Sequence, residues 1–181
     1  MNLLLFPGAG SASTHSSLLA IEQAVAPMRC VRADFPYRQA GRKAPDRTPV
    51  LLRAVRDEAA PLLVDGLVLG GRSMGGRMCS IVVADVDDPL PARGLVLISY
   101  PLHPPGKPDS LRVEHLPRLT VPCLFIQGTG DPFGTPAELQ QWTATIPGEV
   151  THHWIDGRGH DLRGSDAIVA ATVAAWISGL E

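Results

Sequence analysis

One pattern limits what this chain can fold into more than any other. Short, continuous apolar runs alternate with longer amphipathic stretches along its length. Runs of strand length occur at Asn2–Phe6, Arg29–Phe35, Gly66–Leu69, Gly94–Ser99, Val121–Gln127 and Val150–Ile155. Several are unbroken, such as Leu95-Val96-Leu97-Ile98 and Cys123-Leu124-Phe125-Ile126. A strand with one wet face alternates apolar and polar residues, whereas an unbroken run needs both faces covered. Between the runs, Thr14–Ala26, Val50–Leu63, Met74–Val86, Thr135–Thr145 and Ser165–Leu180 carry apolar residues near helical spacing. Six strands alternating with helices imply an α/β fold. The expected form is a three-layer α/β/α sandwich on a mostly parallel sheet.

A length of 181 residues suits a single domain over residues 1–181. Apolar residues make up 45% and charged residues 19%, which excludes a disordered chain. The formal net charge of −2 gives no global reason to bind nucleic acid or an anionic membrane. No apolar run approaches the ~18 residues of a membrane-spanning helix. The opening Met1–Phe6 stretch lacks a basic flank and is broken at Pro7, unlike a signal peptide, so a cytoplasmic protein is expected. Cys30, Cys79 and Cys123 are widely spaced, with no C-x-x-C pair, and are expected to be buried reduced thiols.

In an open parallel sheet, reactive groups collect just beyond the carboxyl ends of the strands. After the third strand comes Gly70-Gly71-Arg72-Ser73-Met74-Gly75-Gly76, which contains G-x-S-x-G. That spacing suits a tight strand-to-helix turn with an exposed serine Oγ, where side chains two positions either way would clash. The string alone is a weak signal; its place between an apolar strand and a helix strengthens it. After the fifth strand, Asp131 lies in Gly128-Thr129-Gly130-Asp131-Pro132-Phe133-Gly134. After the sixth, His160 lies between Gly159 and Asp161. Taken singly, Asp131 reads equally as a turn aspartate and His160 as a solvated loop histidine. Together they give the chain order Ser, Asp, His, which is that of α/β-hydrolases and differs from both main serine protease orders. Asp156 and Asp161 flank His160, but a direct neighbour points its side chain away too readily to hold Nδ1, so Asp131 ranks above both. The Ala9 and Met74 N–H groups are the expected oxyanion donors, with Gly8 letting the backbone approach substrate.

Leu5-Phe6-Pro7-Gly8-Ala9-Gly10, Asp34-Phe35-Pro36-Tyr37, the 70–77 segment, Tyr100–Pro108, Gln127–Gly134 and Gly159–Leu162 together resemble small α/β-hydrolases related to dienelactone hydrolase. The closest resemblance is to the subfamily named after a testis-expressed protein and a chromatin acetyltransferase-complex subunit. The resemblance implies a minimal hydrolase fold without a cap domain, and supports Ser73, Asp131 and His160 as a triad. Dienelactone hydrolase itself uses cysteine where this chain has Ser73, so dienelactone is an unexpected substrate.

The implied activity is serine hydrolysis of small carboxylic esters or related acyl compounds through an acyl-enzyme, with no metal or organic cofactor. Basic residues in 36–49 (Arg38, Arg42, Lys43, Arg47), in 101–118 (Lys107, Arg112, Arg118) and at Arg72, with His103 nearby, form either a solvated surface or a rim that binds anionic substrate. Two rival readings stand beside this one. Gly8–Ser13 is one glycine short of a dinucleotide-binding fingerprint, with Asp34 placed as a ribose ligand might be. A non-catalytic binding or scaffold protein could keep the same fold.

Overall fold

The computed structural model describes residues 1–180. Six strands, β1 (Asn2–Phe6), β2 (Arg29–Arg32), β3 (Leu67–Arg72), β4 (Gly94–Ile98), β5 (Cys123–Gly128) and β6 (Val150–Ile155), form one sheet in the order β2-β1-β3-β4-β5-β6. Every neighbouring pair is parallel. The helices are α1 (Ser16–Ala24), α2 (Pro36–Gln39), α3 (Thr48–Ala59), α4 (Met74–Val83), α5 (Pro136–Thr143) and α6 (Asp166–Ser178).

Side chains along a strand point to alternate faces. In β1, Leu3 and Leu5 therefore join one core, with Val68, Val96, Leu18, Ile21, Val169 and Val173. Leu4 and Phe6 join the other, with Leu69, Leu97, Leu51, Val55, Met78 and Val82. Helices α1 and α6 cover the first face, and α3 and α4 the second. This double cover explains why β1, β4 and β5 read as unbroken apolar runs. The three cysteines are free; Cys79 and Cys123 are buried, and burial pushes the Cys123 thiol up to about 12. No described helix is long and apolar enough to cross a membrane.

Several boundaries differ from the sequence expectation. The Gly70-Gly71 pair does not end β3 but lies inside it. A Cβ at Gly70 would sit 2.3 Å from the Val96 carbonyl oxygen, and one at Gly71 2.2 Å from that of Phe6. The glycines thus mark close approach of neighbouring backbones, not a break. The expected loop over 36–49 contains α2, and α3 begins early, at Thr48, because Pro49 suits the first turn of a helix.

The chain starts inside the sheet at β1, moves outward to β2, then returns to the other side of β1 as β3. From β1 it enters α1 on one face; from β3 it enters α4 on the opposite face. Such a reversal opens a crevice at the carboxyl ends of the two strands.

Candidate active site

Only Ser73 separates β3 from α4. Its backbone has φ 47° and ψ −117°, outside the usual regions for an L-residue. A non-glycine residue held there costs of order 1–3 kcal/mol, so surrounding contacts must enforce it. Those contacts are visible. The Ser73 N–H donates to Ile98 O at 2.8 Å. At Gly75 an added Cβ would lie 2.5 Å from Phe6 O, and at Gly71 2.2 Å, so neither flanking glycine can be replaced without moving β1. The turn lifts Oγ above the sheet end, at the start of α4.

The loops after β5 and β6 converge on that oxygen. His160 Nε2 lies 2.8 Å from Ser73 Oγ, and His160 Nδ1 lies 2.8 Å from Asp131 Oδ2. A carboxylate only accepts, so Nδ1 carries the proton and donates to Asp131. Nε2 is then left to accept from the Ser73 hydroxyl. Three residues separated by 58 and 29 positions thus form one continuous hydrogen-bonded chain.

Asp131 is 1% exposed, and a charge so deeply buried needs several donors. It receives the Phe133 N–H on Oδ1 at 2.8 Å and Gln127 Nε2 on Oδ2 at 2.8 Å. Gln127 is itself fully buried, and its amide also faces the carbonyls of Tyr100 and Gly134. The Phe133 ring stacks on the imidazole, with centroids 4.0 Å apart. Neither Gln127 nor Phe133 stood out in the sequence.

The loop after β1 forms the opposite wall. A Cβ on Gly8 would be 3.4 Å from Ser73 Cβ, so this backbone runs directly alongside the serine. Neither the Ala9 nor the Met74 N–H has a hydrogen-bond partner among the described residues. The loop is pinned from the segment after β2: Tyr37 of α2 donates its hydroxyl to Ala9 O at 2.8 Å, and Asp34 accepts Ser13 N–H and Oγ–H at 2.7 and 2.8 Å. Asp34 is therefore committed to the loop and is not free as a ribose ligand.

Ser73, His160, Gly8, Ala9 and Met74 line a cavity of about 570 Å³, with Phe133 on its wall. Among the described residues no cap domain covers it. No group of three or more His, Cys, Asp or Glu side chains among them is placed to hold a metal ion. His15 also lines the cavity, although nothing in the sequence singled it out. Its Nδ1 accepts the Ser17 N–H and so caps α1.

A family model described as alpha/beta hydrolase domain matches residues 1–174. The chain belongs to the alpha/beta hydrolase domain family. Solved structures share its fold at low identity. Est1E from Butyrivibrio proteoclasticus aligns with a TM-score of 0.78 and 16% identity, over 99% of this chain and 87% of that one. The RedJ thioesterase from Streptomyces coelicolor aligns at 0.71 and 17%, over 97% and 89%. Haloalkane dehalogenase DbeA from Bradyrhizobium elkani aligns at 0.73 and 16%, over 99% and 90%. A thioesterase and a dehalogenase on one fold mean that the side chains, not the architecture, must distinguish the chemistry of this alpha/beta hydrolase-domain chain.

Two residues expected at the substrate have other placements. Arg72 borders the cavity, but the residue is 5% exposed and its guanidinium is already bonded. It donates to His160 O at 3.2 Å, Asp161 O at 3.0 Å and Ser17 Oγ at 3.4 Å. It therefore ties the β6–α6 loop to the β3–α4 turn instead of greeting a ligand. Loss of these bonds would let the imidazole drift, and a misplacement near 1 Å can cost about 100-fold in rate. Arg72→Gln is expected to lower kcat by about 10- to 100-fold with little change in KM, measured by steady-state hydrolysis kinetics. His103 does not reach the cavity. Its N–H donates to Phe133 O at 3.1 Å, and its Nδ1 lies 2.9 Å from Pro104 O. Its Nε2 lies 3.4 Å from Glu138 Oε1. The proline-rich loop turns inward at this point, so His103 braces the Asp131 loop from behind.

Two members of the expected basic rim are committed elsewhere. Arg42 pairs with Asp46 at 2.7 Å, and Arg118 donates to Ala84 O and Glu114 O. Of the basic residues in 36–49 and 101–118, only Arg112 lines the cavity.

The same 101–118 loop buries His115, whose Nε2 lies 2.7 Å from Ser80 Oγ. Burial, reinforced by the Arg77 and Arg118 charges, pushes its pKa down to about 4. The unfolded chain therefore binds a proton at His115 that the folded chain does not, between about pH 6.5 and 4. That contribution to stability is present above pH 6.5 and is lost as pH falls through this window, by up to about 3 kcal/mol. His115→Gln is expected to flatten this part of the pH dependence. Urea midpoints of both proteins at pH 7 and pH 4.5 would check it.

Proposed function

We propose that this chain is a serine hydrolase of small carboxylic esters or related acyl compounds, acting as a single domain over residues 1–181. Its residue pattern further suggests the branch of the family related to dienelactone hydrolase. The observation that carries the proposal is the unbroken Asp131–His160–Ser73 hydrogen-bond chain ending at a strained, cavity-facing hydroxyl. A scaffold without chemistry would gain nothing from a positive-φ serine. The names of two fold neighbours, an esterase domain from Rhodothermus marinus and the RedJ thioesterase, point to the same acyl chemistry.

The mechanism follows from the donor and acceptor roles. As Ser73 Oγ attacks the substrate carbonyl carbon, its proton passes to His160 Nε2. The resulting imidazolium is held by the Asp131 carboxylate at Nδ1. The carbonyl π electrons move to oxygen, and the unpartnered Ala9 and Met74 N–H groups receive that oxyanion. Collapse expels the alcohol or thiol, which takes the proton from Nε2 and leaves an acyl group on Ser73. Water then attacks the acyl-enzyme, giving a proton to Nε2 that returns to Ser73 as the acid departs. A cavity of about 570 Å³ without a cap favours short acyl groups over long lipid chains.

A fluorophosphonate probe tests the proposal. It is expected to add one phosphonyl group, located by mass spectrometry at Ser73. An absence of labelling in folded protein, or labelling at another residue, would overturn it.

A further inference from the structure

Among the described residues, two guanidinium groups in the cavity have no partner. Arg77 lies on α4 one helical turn beyond Ser73, and its N–H donates to Ser73 O at 3.0 Å. Residues four apart on a helix share a face, with Cβ atoms roughly 5–6 Å apart. The Arg77 side chain lines the cavity, and its Nε is buried without a hydrogen-bond partner. Arg112 approaches from the β4–β5 loop. Its backbone is fixed on both sides: its N–H donates to Leu102 O at 2.9 Å, and its carbonyl accepts the Tyr100 hydroxyl at 2.9 Å. Its side chain also lines the cavity.

Among the described residues neither arginine forms an ion pair, and the two charges disfavour one another. The carboxylates lining the same cavity do not neutralise them. Asp46 is paired with Arg42, and Asp161 makes no ion pair with either arginine. Nearby His115 is neutral at ordinary pH and adds no charge. Two unpaired, partly buried cations beside a nucleophile make an arrangement that an incoming anion would relieve. Guanidinium forks match carboxylate and phosphate oxygens geometrically.

We propose that Arg77 and Arg112 form an anion subsite, and that the acyl compound cleaved at Ser73 carries a carboxylate or phosphate a few bonds from its scissile carbonyl. This rests on the serine hydrolase reading for the reaction, though not for the binding. It narrows the broad basic rim suggested by the sequence to one arginine from that set and one outside it.

The test compares the 4-nitrophenyl half-ester of glutaric acid with neutral 4-nitrophenyl valerate. Wild type is expected to prefer the anionic ester in kcat/KM by at least about tenfold, a preference that weakens in 0.5 M NaCl. Arg77→Gln and Arg112→Gln are each expected to cut that preference about tenfold or more. Arg53→Gln, an exposed residue on α3, should leave it intact. Competition by glutarate and by inorganic phosphate, run side by side, shows which anion the pair favours.

Titration of glutarate and phosphate into the Ser73→Ala protein, with and without Arg77→Gln, separates the two readings. Arg77-dependent binding without any ester hydrolysis by wild type would keep the subsite and remove the hydrolase. Hydrolysis of both esters with equal efficiency, unchanged by either arginine substitution, would remove the subsite and keep the hydrolase. Absence of both hydrolysis and binding would overturn both.

Discussion

Ser73→Ala is expected to lower kcat toward a short 4-nitrophenyl ester by about 10⁵- to 10⁶-fold, the scale seen when a triad nucleophile is removed. The size follows from what remains. Without Oγ no acyl-enzyme can form, and His160 can only direct a water to a carbonyl placed for a different attacking atom. The Ala9 and Met74 N–H groups would still hold the oxyanion, so a residual rate above that in water should persist. Stability offers an internal control. Alanine at φ 47° is strained much as serine is, and the Ser73 N–H bond to Ile98 O involves only backbone. The melting temperature should therefore stay near that of wild type. A folded Ser73→Ala protein that loses less than about 100-fold would place the nucleophile elsewhere.

The sheet was legible because its physics is local to each strand. Leu3, Leu4, Leu5 and Phe6 divide between two cores, which an unbroken run records directly. Ser73, Asp131 and His160 were legible because strand ends collect at one edge of a parallel sheet, so position after a strand is itself spatial information. What the sequence hid were the directions taken by side chains between loops. Arg72 sits within the G-x-S-x-G motif and reads as a ligand, yet the β6–α6 loop closes over it and takes its donors. His103 lies in a conspicuous loop but turns inward beneath Phe133. Gln127 closes an apolar strand and looks like part of it, while its amide serves Asp131. Arg77 did carry a readable signal: four residues after the serine, it lies on the same face of a helix that begins there. The Gly70-Gly71 pair misled because glycine marks close backbone approach as well as chain breaks, and only the neighbouring strands decide which.

Asp131→Asn is expected to lower kcat by about 10⁴-fold while leaving the fold intact. The reason lies in which donors surround the carboxylate. Phe133 offers a rigid backbone N–H to Oδ1, so an asparagine would place its oxygen there. Its NH₂ would then take the position of Oδ2, facing both Gln127 Nε2 and His160 Nδ1. Gln127 can adapt by rotating its amide to turn the unpartnered Oε1 toward that NH₂, at the cost of its long Nε2 contacts to Tyr100 O and Gly134 O. The imidazole must adapt too, and it does so by accepting at Nδ1 and carrying its proton on Nε2. In that tautomer Nε2 donates toward Ser73 Oγ and cannot receive its proton, so the general base is lost although no atom has moved far. Nitrogen NMR of the His160 ring should report the exchanged tautomer, and phosphonylation of Ser73 should slow with kcat. A folded Asp131→Asn protein that keeps the wild-type tautomer and loses less than tenfold in kcat would show that Asp131 does not set the state of His160.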